Sequence, residues 1–197
     1  MRAGQRREAI LVSSAGVFAR QGYEGAGTAE LAAACGVSEP VIYRHFSSKE
    51  DLFCEVLDWA AELILADWQK TIAGIDRVRD RILALTTVHP HVLAGGGMPY
   101  RVLLAAQSST AYPAVRIALT AAFRRFEEFL AALVREGQLR GEIRRDLDPV
   151  PAAWTMLSLG LAFRLTHELE LPVAASQGWI FGAGTRYLDS MQVVSND

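Results

Sequence analysis

Apolar positions recur at helical spacing through most of the chain, and the alternation of a half-buried strand is almost absent. Leu11, Ala15, Phe18 and Ala19 stand at i, i+4, i+7 and i+8, which is one face of a first helix. Gln21-Gly22-Tyr23 ends it, since Gly22 suits the left-handed residue that follows a helix. Beyond the glycine-broken loop 24–27, a short helix is predicted from Thr28 to Ala34, with Leu31 and Cys35 inward. Gly36 then supplies the positive φ of a tight turn. Ser38 caps a second short helix, with Glu39 and Pro40 in its first turn, where proline's missing N–H does no harm. Ile42 and Phe46, four apart, anchor that helix to a core. Ser47 with Glu50, or Ser48 with Asp51, forms a capping box for a long helix through Trp59 and Trp68.

The remainder is larger and more apolar. Helices are predicted over about 76–87, 100–109, 113–138 and 149–170, with a last one ending near Met191. His89-Pro90-His91 and Gly95-Gly96-Gly97-Met98-Pro99 break the chain, 137–145 is a polar connection, and Pro172 ends the fourth helix. Helix 113–138 has a charged face (Arg116, Arg124, Arg125, Glu127, Glu128) and an apolar one (Val115, Leu119, Phe123, Phe126, Leu130, Leu133). Helix 149–170 opens on Asp148-Pro149 and is apolar nearly all round, so it needs cover on every side, either inside a large domain or by a second subunit. The pattern is all-α: an N-terminal three-helix domain over 4–53, with its helix-turn-helix at about 27–46, and a larger helical domain over 54–192.

Composition sharpens this picture in three places. The net charge of −2 excludes a protein coated in basic surface, so any nucleic-acid partner must meet a local patch. Arg2, Arg6, Arg7, Arg20, Arg44 and Lys49 supply one, against Glu8, Glu24, Glu30 and Glu39. Cys35 and Cys54 sit in apolar helical settings without metal-ligand spacing and are expected as buried, reduced thiols. No run approaches about 18 uninterrupted apolar residues, and the first residues lack the apolar stretch of a signal peptide. No membrane span and a cytoplasmic location are therefore expected. His89 and His91 are too few to hold a metal, and the glycine run lacks the Lys-Ser/Thr of a phosphate loop. No nucleophile–base pair is evident, so neither an enzyme nor a bound cofactor is expected.

A short helix that is apolar on one side and polar on the other, after a tight turn, is built to lie in a DNA groove. Glu39, Pro40, Val41 and Arg44 lie near its exposed N-terminal side, flanked by Tyr43 and His45, with Ser38 at the cap. The Tyr43 hydroxyl suits a phosphate oxygen, Arg44 suits guanine or phosphate, and Val41 suits a thymine methyl. The Lys49 ammonium, at the start of the next helix, suits a phosphate together with that helix's free N–H groups.

The runs Gly22-Tyr23, then 30–38 with Gly36-Val37-Ser38, then Ile42-Tyr43-Arg44-His45-Phe46-Ser47-Ser48-Lys49-Glu50-Asp51-Leu52, resemble the TetR family of transcriptional regulators. The match covers about a quarter of the chain. The resemblance implies that 39–46 is the recognition helix and that Tyr43 and Lys49 contact phosphates. The chain has Ala26-Gly27 where the family usually has Thr-Thr or Thr-Ser, so a hydroxyl contact is lost or passes to Thr28, and Val41 stands where threonine is common. The resemblance further implies that residues beyond about 60 form a homodimer, through helices 113–138 and 149–170, and bind a small effector. Ser158, Gly160 and Ala162 permit close helix approach. Trp59, Trp68, Tyr100, Gln107, Phe123, Trp154 and Phe163 are candidates for lining an apolar effector pocket. The expected protein is a sequence-specific repressor of an operator, released by its effector. The sequence leaves open an activator or effector-independent regulator, and a helical small-molecule-binding protein or enzyme with a vestigial helix-turn-helix.

Overall fold

The computed structural model describes residues 3–87, 97–170 and 177–192, and among them all regular structure is helical. The elements are α1 (Ala3–Gly25), α2 (Thr28–Ala34), α3 (Glu39–Tyr43), α4 (Lys49–Ile72), α5 (Val78–Thr87), α6 (Met98–Ala106), α7 (Pro113–Leu139), α8 (Pro149–Glu168) and α9 (Gln177–Ser190), with a single 3-10 turn at Gln107–Ser109. His89, His91, Gly95, Gly96, Pro172 and Arg2 lie outside the described residues, as does the side chain of Phe163. No described helix is long and apolar enough to cross a membrane.

The chain divides into two compact units, Met1–Ile64 with Gly97–Phe123, and Leu65–Gly96 with Arg124–Asp197. In the first, α1 packs along α6 and against α2, and α2 against α3. Its fully buried side chains include Ile10, Phe18, Leu31, Phe46, Phe53 and Leu57, with the Phe18 and Phe53 ring centroids 4.6 Å apart. Burying each stabilises by about 1.5–3 kcal/mol, which lets helices as short as α2 and α3 persist where isolated ones would melt. The expected end of α1 at Gly22 is a break rather than a stop: the backbone there has φ 70° and ψ −177°, and helix resumes to Gly25.

In the second unit α9 packs on α5 and α8. Trp68 lies against Phe126 and Phe129, with centroids 5.3 and 5.6 Å away. Arg79 pairs with Asp189 at 2.7 Å, while Glu136 receives both Arg81 at 3.1 Å and Arg140 at 3.0 Å. Within the chain, α8 is covered on one side only. Ala152, Ala153, Met156 and Leu157 are buried, but Pro151, Trp154, Thr155, Ser158 and Ala162 form an exposed row at i, i+3, i+4, i+7 and i+11. Apolar character alone does not tell which side a neighbour covers. Trp154 tolerates its exposure because its ring N–H donates to the Glu127 carboxylate at 2.6 Å.

Candidate nucleic-acid interface

The joint between α2 and α3 is set by its backbone. Gly36, with φ 62°, donates to the Ala33 carbonyl at 3.1 Å, and Val37 donates to the Ala32 carbonyl at 3.0 Å. This pair of bonds is the Schellman ending, which needs a left-handed residue at the glycine. The turn bonds carbonyls of α2's last turn and carries the chain into α3 across four residues, 35–38.

α3 holds to the core through Ile42, 3% exposed, and Phe46, 1% exposed, just beyond its end. Arg7 from α1 stands over the Phe46 ring at 4.9 Å and pairs with Glu55 of α4, which ties three elements to this anchor. The opposite side is open. Ser38, Pro40, Tyr43 and Arg44 are exposed, while Glu39, Val41, His45 and Thr28 are half-buried at its margins. Ser38 occupies the cap with extended backbone, but its side chain makes no capping hydrogen bond.

The recognition segment is shorter than expected. Regular helix covers Glu39–Tyr43 only, and Arg44 and His45 continue as a turn, with His45 and Phe46 both donating to the Ile42 carbonyl at 2.9 and 3.1 Å. The reason lies in the next cap, which pulls the chain off the helical path. The Ser48 hydroxyl accepts from the Asp51 N–H at 3.0 Å, and the Asp51 carboxylate takes both the N–H and hydroxyl of Ser47, at 2.8 and 3.0 Å. Both serines and Asp51 make this cap, rather than Ser47 with Glu50.

Lys49 is placed differently from a free phosphate contact. Its ammonium donates to the Ala26 carbonyl at 3.1 Å and lies 4.6 Å from the centroid of the Tyr23 ring. Arg6, Arg20 and Arg44 are the exposed cations of the expected patch. Tyr112, which the sequence did not single out, meets Tyr23 edge-on at 4.8 Å and donates to Glu24 at 3.4 Å from 88 residues away. The Glu24 carboxylate raises the Tyr112 hydroxyl pKa, and burial does the same for Tyr23. No local motif marks so distant a contact.

The pocket candidates fall in both units. Trp59, Tyr100 and Phe123 are half-buried in the first unit, where Gln107 is exposed on the 3-10 turn. Trp68 and Trp154 belong to the second unit, one buried and one exposed. Cys35 and Cys54 are free thiols, half-buried rather than fully enclosed, and burial pushes both pKa values up. Cys35 lies 3.6 Å from the Ser14 hydroxyl.

This arrangement, two short helices at a left-handed turn with one polar face outward, is that of a helix-turn-helix DNA-binding protein. Residues 10–56 match the model of bacterial regulatory proteins of the tetR family, and residues 74–177 match the tetracyclin repressor-like C-terminal domain. The chain belongs to the TetR family and is a DNA-binding transcriptional regulator. It is similar to the HTH-type transcriptional regulator UidR of Escherichia coli K12, with 24% identity over 83% of this chain and 81% of UidR. It also resembles the HTH-type transcriptional activator FasR of Mycolicibacterium smegmatis, with 30% identity over 50% of this chain; that match spans only 45% of FasR. A TetR regulator from Chloroflexus aurantiacus has the same fold, with a TM-score of 0.82 and 28% identity over 98% of both chains.

Proposed function

We propose that the chain is a homodimeric repressor that leaves its operator when a small apolar effector binds. The observation that carries the reading is the two-sidedness of α3: Ile42 and Phe46 pin it to the core, while Ser38, Pro40, Tyr43 and Arg44 stand outward. In this reading residues 4–53 meet DNA. Pro40 and Val41 touch base edges, Arg44 reads guanine or a phosphate, and Tyr43, Thr28 and the first N–H groups of α4 receive phosphates. Ser38, Glu39 and His45 border the groove, and Glu39 suits the amino group of a cytosine.

Residues 54–192 carry dimerisation and effector binding. The dimer reading is supported by the exposed row on α8 (Pro151, Trp154, Thr155, Ser158, Ala162) and by Glu128, Ala132 and Arg135 exposed on α7. Pairing α7 and α8 with their copies makes an isologous four-helix contact and sets two recognition helices about 34 Å, one DNA turn, apart or a multiple of it. The effector releases DNA only through unequal affinity for the DNA-competent and incompetent conformers. The match to a repressor-like C-terminal domain supports this half of the reading.

Transcript levels of neighbouring genes in a deletion strain test it. Repression predicts that they rise without the protein; a fall sinks repression and favours activation. That second reading has its own support, since FasR, similar over half of this chain, is an activator.

A further inference from the structure

The loop that joins α1 to α2 is Ala26 and Gly27, and α2 begins after the N-cap Gly27 without any side-chain cap. Gly27, with Gly25 at the end of α1, gives this joint more backbone freedom than other residues would. It nevertheless decides where α2 stands, and through the tight turn at Gly36, where α3 stands. Something outside the loop has to hold it. The Ala26 carbonyl receives the Lys49 ammonium at 3.1 Å, and Ala26 itself is fully buried.

The lysine is held in turn. Its ammonium lies 4.6 Å from the centre of the Tyr23 ring. That ring stacks on Phe53 at 5.3 Å and 25°, and receives the edge of Tyr112 at 4.8 Å and 72°. Phe53 is fully buried. Tyr23 is thus gripped from three directions, by α4 twice and by the turn before α7 once. The Tyr112 hydroxyl also reaches Glu24, in the last turn of α1, at 3.4 Å.

We infer that Tyr112 and Lys49 are positioning residues for DNA recognition: they clamp Tyr23 and the Ala26 carbonyl, fix the α1–α2 loop, and so set the aim of α3. The inference rests on the helix-turn-helix entering DNA, and it assigns Lys49 inward rather than to a phosphate. The Ala26 carbonyl and the Tyr23 ring take the ammonium on its inward side, so in this assignment it acts on the loop. It also makes Tyr112, far from the motif in sequence, a determinant of operator affinity.

The test uses the full chain and fluorescent DNA from its own upstream region, with dissociation constants measured from 50 to 200 mM salt. The wild type gives a specific complex whose affinity falls steeply with salt. Tyr112→Ala weakens it about tenfold, and Tyr112→Phe, which keeps the ring edge, by no more than about threefold. Lys49→Met weakens it comparably while leaving the log–log salt slope unchanged. Because both act through one loop, the double variant loses much less than the product of the two single losses. Circular dichroism confirms that each variant is folded, and Tyr112→Leu replaces Tyr112→Ala if the latter does not fold. A slope reduced by about one in Lys49→Met marks a direct phosphate contact and overturns the inference. So does an unchanged affinity in folded Tyr112→Ala, or a double variant whose losses multiply. Failure of the DNA-binding reading itself shows differently, as a wild type without any specific complex, and takes the inference with it.

Discussion

Substitution of Gly36 isolates the backbone chemistry on which the helix-turn-helix depends. A Cβ built there meets no heavy atom within 4 Å, so a side chain adds no clash, and the cost is conformational alone. The residue has φ 62°. Holding an L side chain in that region costs about 1–2 kcal/mol, and the stiffer unfolded chain of Gly36→Ala offsets about 0.4–1 of it. The net loss for alanine is about 1 kcal/mol, or about 2–4 °C in Tm for a chain of this size. Asparagine, which tolerates the left-handed region through local hydrogen bonding, loses less, and β-branched valine loses more. Thermal unfolding by circular dichroism, at one fixed protein concentration because association raises Tm, ranks the series. The predicted order is Gly, Asn, Ala, Val. An alanine variant as stable as the wild type, or one losing more than about 4 kcal/mol, refutes the account of the turn.

Three further expectations follow from other parts of the structure. Gly27→Ser places a hydroxyl at the uncapped start of α2, where φ −72° and ψ 144° suit any residue and the Cβ meets nothing; it should raise Tm by about 2–4 °C, and a lower Tm contradicts the cap assignment. The fold favours the protonated thiols of Cys35 and Cys54, chiefly through burial. That share of stability is complete below about pH 8.5, the unfolded thiol value, and is lost as pH rises through the raised folded values. Wild-type Tm should therefore fall more steeply above that pH than in a Cys35→Ala, Cys54→Ala variant, and parallel curves would dismiss the effect. Ser158→Arg puts a long cation into the exposed row of α8; sedimentation should show a monomer with weakened operator binding, whereas an unchanged dimer rejects that face as the interface.

What the sequence disclosed and what it hid divide along the range of the interactions. The bounds of α2, the turn at Gly36 and the start of α4 rest on contacts within five residues, and the side chains announce them. α3 was read too long because Ile42 and Phe46 keep helical spacing, yet Phe46 reaches the core through a turn that the Ser47–Asp51 cap imposes. The position of Lys49 at the start of α4 says nothing of a carbonyl on the preceding loop or a ring near the end of α1. Tyr112 had no local signal at all. The same limit holds on α8: an apolar pattern does not tell that Trp154 stands exposed within the chain, its ring N–H on the Glu127 carboxylate.

Fluorescence anisotropy with a palindromic duplex from the upstream region, against a scrambled duplex of equal composition, tests the central claim most directly. A sequence-specific dimer predicts one dimer per palindrome, a preference of at least about 10³ over the scrambled duplex, and affinity that falls linearly on a log–log salt plot. Arg44→Ala should narrow that preference more than it lowers the salt slope. Equal affinity for both duplexes across the salt series would contradict the assignment of α3 as the element that reads DNA.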